Sequence, residues 1–152
     1  DSANSNCLTG YDYLALKPMV ELPKKKVSKV ESIVASFGGY DHRNLAGFFL
    51  SSLYNSERGL LTGLTIEILV GKESEARTDR WVELAEEIST RQGCDVRLLI
   101  QSENFAMHLA EADLAVLSGG LTIFDALSLG IPSIGVPQYD HQLMTLQRLS
   151  SS

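Results

Sequence analysis

The stretch ADLAVLSGGLTIFDALSLGIPSIGVPQYDHQ, residues 112–142, reads as a buried strand that stops at a glycine pair and turns directly into a helix. Leu114 to Leu117 is an apolar run that fits a strand buried on both faces. Gly119-Gly120 removes side chains where the backbone must turn and approach a ligand closely. The first N–H groups of the helix that follows lack internal acceptors, and the helix dipole is positive at that end. The Gly120 to Thr122 turn is therefore expected to be an anion site suited to a diphosphate.

Outward from this unit the pattern alternates regularly. Ile33 to Phe37 reads as a strand, and Asn44 to Tyr54 as a helix with Leu45, Phe48, Phe49 and Leu53 on a broad apolar face. Leu64 to Val70 is a second strand, and Trp81, Leu84, Ala85 and Ile88 repeat at helical spacing and stop near Gly93. Val96 to Ile100 is a third strand, followed by a short helix from Asn104 to Glu111 with Ser102 as its cap. After the fourth strand and its helix, Ile131 to Val136 is a fifth strand, and Leu143, Leu146 and Leu149 continue as a helix. Helices placed between successive strands require right-handed crossovers and a parallel sheet covered on both faces. The expected fold class is α/β, a Rossmann-like doubly wound parallel sheet. There is no internal repeat and no low-complexity tract.

At 152 residues the chain is long enough to bury one good core. Nineteen acidic against thirteen basic residues give a net charge of −6, which argues against nucleic acid or an anionic membrane as the main partner. Cys7 and Cys94 form neither a disulfide framework nor a metal-ligand spacing, so no metal site is expected. No apolar stretch approaches membrane-spanning length and Asp1 to Asn6 is not a secretory start, so the expected location is cytoplasmic. The chain lacks an initiator Met and stops just after a helical pattern, which reads as part of something longer. Residues 1–29, with Pro18, Pro23 and Lys24 to Lys26, read as a linker whose lysines are solvated, and residues 30–152 as the domain.

In open parallel sheets ligands sit beyond the carboxyl ends of the strands. The loops to consider are Ser36 to His42, Gln101 to Asn104, Ser118 to Thr122 and Gln138 to Gln142, all expected on one edge. Two glycine pairs, several hydroxyls and amides, and Asp125 on the face of Leu121 and Thr122 suit a nucleotide, with Asp125 offered to ribose hydroxyls.

These residues resemble the nucleotide-binding half of the GT-B superfamily, specifically the C-terminal domain of the family-28 glycosyltransferases that include MurG. A narrower similarity joins Gly10 to Pro18, Ser36 to Asp41 with Asn44-Leu45, Met107 to Asp113, and the later Gly-Gly and Gly130 to Ile134 to the PseG family, UDP-sugar hydrolases of pseudaminic acid synthesis. The resemblance covers nearly the whole chain but only the second of two family domains. It implies that Ser118, Gly119, Gly120 and Thr122 hold the diphosphate, with Gly38 and Gly39 facing it. It places Tyr40, His141 and Gln142 near sugar and phosphates, Asp125 on the ribose where the family commonly has Glu, and the loop Ser102, Asn104, Phe105 on the base. The implied partners are a UDP-sugar and an N-terminal GT-B domain in cis that carries the catalytic residues. No cofactor, nucleic acid or membrane contact is implied. A MurG-like transferase and a non-catalytic nucleotide-binding module are the alternatives to hydrolysis.

Plainer readings stand beside these. Glycine pairs after strands are often only turns. His108 reads as a surface or packing residue, His42 and Asp41 as a helix start and its cap, and His141 equally as a solvated loop residue. Trp81 and Phe48-Phe49 read as packing residues, not base-stacking platforms.

Overall fold

A computed structural model describes residues 28–71, 78–102 and 104–151. The linker lysines, Cys7 and the Gly10 to Pro18 motif lie outside the described residues. In chain order the elements are β1 (Ser32–Ser36), α1 (Leu45–Asn55), β2 (Thr65–Val70), α2 (Thr78–Gln92), β3 (Asp95–Ile100), α3 (Phe105–Glu111), β4 (Leu114–Leu117), α4 (Leu121–Leu129), β5 (Ser133–Gly135) and α5 (Asp140–Ser150). The strands form one five-stranded sheet in the order β3-β2-β1-β4-β5, and every pairing is parallel. The expected Rossmann-like architecture is the observed one.

Alternation along the strands builds two cores. Ala35, Ile66, Ile68 and Val116 face α1 and α2, where they meet Leu50, Leu53, Trp81 and Ile88. Val34, Leu69, Ala115 and Leu117 face the other way, onto Leu109, Ile123, Ala126 and Leu129. Successive side chains of a strand point to opposite faces, so near-continuous apolar runs serve both cores at once.

Two local expectations are corrected. Phe48 is 65% exposed, because the buried stripe of α1 is Ala46, Gly47, Leu50 and Leu53, while Phe49 reaches Phe37 edge-on at 6.0 Å between ring centroids. β5 is shorter than Ile131 to Val136, since Pro132 and Pro137 bracket it without N–H donors. Its ladder is nonetheless closed at both ends, with the Ala115 amide donating to the Pro132 carbonyl and the Val136 amide to that of Leu117.

Candidate functional site

The strand order reverses between β1 and β4, so the loop after β1 leads to one face of the sheet and the loop after β4 to the other. Such a reversal opens a crevice at the carboxyl edge. There a cleft of about 240 Å³ is lined by Ser36, Gly38 and Gly39 after β1, Gly71 after β2, Gln101 and Ser102 after β3, Phe105 of α3 and Thr122 of α4. A larger depression of about 730 Å³ lies over α1 and α2 among Arg58, Glu83, Glu87 and Arg91, away from the strand ends. Its charged, solvated side chains form a helix surface and not a ligand chamber.

The first loop is held from both ends. Asp41 is buried and accepts the Leu45 amide at 2.7 Å and the Ala46 amide at 2.8 Å, so it caps α1 although Asn44 is the last residue before the helix. Gly38 has φ +83°, the left-handed region that glycine enters without strain, and no atom lies within 4 Å of where a Cβ would be on it or on Gly39. The Phe37 carbonyl accepts a hydrogen bond from the buried Gln138 side chain, which ties this loop to the one after β5. Asp41→Ala is expected to cost about 1–2 kcal/mol, read as a lower denaturant midpoint, because two helix amides lose their acceptor. Asp41→Asn should recover part of that loss.

The second glycine pair divides in role. Gly119 is buried, and a Cβ there would sit 2.9 Å from both Cβ and the carbonyl oxygen of Gln142 and 3.0 Å from Cγ of Leu146. The space in front of it is filled by α5, so this glycine admits a helix. Gly120 is open by comparison, the nearest atom to its would-be Cβ being Nε2 of Gln142 at 3.9 Å. It precedes α4 without a side-chain cap, and the Leu121 and Thr122 amides that follow have no hydrogen-bond acceptor among the described residues. These are the donors that the helix N-terminus presents to an anion.

Of the sequence-predicted residues, Gly38, Gly39, Ser102, Phe105 and Thr122 share the cleft. Ser118 and Gln142 are buried beside it, and Oε1 of Gln142 accepts the Gln138 amide at 2.8 Å. Asp125 is half-buried one turn further along α4, and Asn104 is exposed at the start of α3. Tyr40 is exposed and its ring lies 5.0 Å from that of His42, while the exposed His141 stacks on Tyr139 at 5.5 Å. Ser102 does not cap α3: among the described residues its hydroxyl accepts the Asn104 amide, at 3.4 Å, and no amide of the helix itself. His108 pairs with Glu67 below the cleft.

Sequence reading missed Gly71, and it named the loops that begin at Gln101 and Gln138 without giving either residue a role. Gly71 directly follows a strand, the same signal that marks the other glycines. A Cβ on it would lie 2.5 Å from Cα and 2.6 Å from the carbonyl oxygen of Gly39, so the two loops meet there backbone to backbone. Gln101 has φ +52°, an uncommon left-handed conformation for a side-chain-bearing residue, and no local sequence signal announces it.

These features bring main-chain donors and open glycines together at one edge, with no group of three metal-ligating side chains among the described residues. Partial burial raises the pKa of Cys94, which lies at the opposite end of the sheet and is no candidate nucleophile here.

The same architecture is known in a solved structure. It resembles part of MurG. MurG of Acinetobacter baumannii superposes with a TM-score of 0.64 at 20% identity, over 86% of this chain and 38% of MurG. The chain thus has a Rossmann-like α/β fold similar to that part of MurG. No family model matches it. Over 130 residues it is 28% identical to an uncharacterised protein of Methanocaldococcus jannaschii, covering 86% of this chain and 25% of that protein. The chain therefore spans about a quarter of the length of that curated relative.

Proposed function

We propose that this chain is the nucleotide-sugar-binding domain of a glycosyltransferase-like protein. Its cleft takes the UDP part of a UDP-sugar, and an N-terminal GT-B domain in cis supplies the other wall, the acceptor site and the catalytic groups. The observation that carries this reading is the pair of unpartnered amides of Leu121 and Thr122, at the α4 N-terminus and beside the open Gly38-Gly39 loop. Free amides at a helix N-terminus stabilise a diphosphate well, and the fold's similarity to part of MurG supports the reading. A volume of about 240 Å³ is small for a complete site, since ligand pockets usually run to ~300–1,000 Å³, and it fits one wall of a cleft shared between domains.

In this reading Gly120 and Thr122 bind the diphosphate with Gly38 and Gly39 opposite, Ser118 and Gln142 brace them, and Tyr40 and His141 stand towards the sugar. Ser102, Asn104 and Phe105 meet the base, and Asp125 meets the ribose. Calorimetric titration with UDP, CMP and ADP tests it: UDP should bind tightest, and equal affinity for the three would reduce the site to a general phosphate binder. Asp125→Ala should weaken UDP by about 1–2 kcal/mol, the scale of a charge-assisted hydrogen bond. Unchanged affinity would remove Asp125 from the site.

Hydrolysis of the UDP-sugar is the second reading, favoured by the Ser-Phe-Gly-Gly-Tyr-Asp loop at residues 36–41, whose open Gly38-Gly39 faces the cleft. Incubating the full-length protein with UDP-sugars separates the two. UDP released in water alone marks a hydrolase, and release only with an acceptor marks a transferase.

A further inference from the structure

The short helix α3 forms part of the cleft wall and is packed against the second core by Phe105, Leu109 and Ala110. It has seven residues, of which Leu109 is the buried one. A helix of this length gains little from its own hydrogen bonds, so its contacts with the sheet decide where it lies. One of those contacts is polar. Nδ1 of His108 and Oε2 of Glu67 are 2.9 Å apart, with the two side chains 24% and 22% exposed.

Glu67 stands in the middle of β2, between Ile66 and Ile68, which face the α1–α2 core. The strand's alternation therefore turns Glu67 to the α3 side, where the neighbouring positions serve an apolar core. Arg97 is its register partner on β3 but pairs with Asp95. Beside the pair is a cavity of about 260 Å³, lined by Ser32, Thr65, Arg97 and Glu111 among others, so this side of α3 borders open space and the polar pair spans it. Phe105 lies three positions before His108, on the same helix face and one turn closer to the cleft it lines.

We infer that Glu67 and His108 form a latch that sets the position of α3 and, through it, the Phe105 and Ser102 wall of the cleft. Neither residue lines the cleft, so both are positioning residues. The inference rests on the proposed nucleotide site for its functional consequence and on the pair's geometry for its mechanical one.

Two measurements on the full-length protein test it. Glu67→Ala and His108→Ala should each speed amide hydrogen exchange across residues 104–111 and weaken UDP binding about five-fold, the scale of losing a partly buried pair. The double variant should be no weaker than either single one, and Glu67→Gln, which keeps an acceptor for the imidazole N–H, should recover most of the affinity. Tight UDP binding unaffected by both alanine variants would overturn the latch. If the parent protein does not bind UDP, the nucleotide reading fails, and exchange alone decides the latch. Unchanged exchange in Glu67→Ala then overturns it, whereas faster exchange confined to α3 sustains it.

Discussion

Gly119→Val is expected to lower the stability of the domain by about 3 kcal/mol, while Gly120→Ala one position later should leave it nearly unchanged. A Cβ on Gly119 would fall 2.9 Å from the Gln142 carbonyl oxygen and 3.0 Å from Leu146 Cγ, and valine adds two methyl groups to that collision. The Gln142 main chain cannot rotate aside, so α5 must lift from the β4–α4 turn. Gln142 would then lose the Gln138 amide it accepts at 2.8 Å. On Gly120, by contrast, the nearest atom to a new Cβ is 3.9 Å away and its φ of −87° suits any residue. Denaturant midpoints at constant slope would measure the difference. In the proposed site the effect on ligand should be reversed in kind: Gly120→Ala keeps the fold but puts a methyl where a diphosphate would approach, with an expected cost of about ten-fold in UDP affinity, or roughly 1.4 kcal/mol. Equal stability losses for the two variants would show that α5 does not pack on Gly119 as described.

The second large effect belongs to Gly71→Ala. Its Cβ would press on the Cα and carbonyl group of Gly39, backbone atoms with no rotamer to escape through. Either the end of β2 or the loop after β1 has to move. The expected cost is about 2 kcal/mol in stability, with weakened UDP binding because Gly38 and Gly39 move with the loop. Gly39→Ala is the matched control, since nothing lies within 4 Å of a Cβ there. It should leave the midpoint within about 0.5 kcal/mol, the usual range for a substitution that meets no neighbour. A Gly71→Ala protein as stable as its parent would separate the two loops and enlarge the cleft.

The legible part of this molecule was its periodicity. The largely apolar strands at Ile66 to Val70, interrupted by Glu67, and at Leu114 to Leu117, with glycine one or two positions further on and then helical spacing, are enough to order the elements and make the sheet parallel. They also place the glycine loops on one edge, because parallel strands all end on the same side. The capping role of Asp41 was similarly readable from its position before a helix. Pairwise encounters were not readable. Phe48 and Phe49 look alike in a helical pattern, yet a 100° step around the helix leaves one in water and the other against Phe37. The Glu67–His108 pair joins residues 41 positions apart, and nothing local to either marks the other.

Sequence by itself determined the layered α/β architecture and the edge on which the glycine loops gather, since both follow from short-range repeats of burial and from where side chains are missing. Only the tertiary structure decided what each missing side chain makes room for. Gly38 and Gly120 border open space, Gly71 admits a neighbouring loop and Gly119 admits a helix. A glycine records that a Cβ would be in the way but not of what, and the obstructing atoms arrive from segments up to 32 residues distant, as Gly39 does at Gly71.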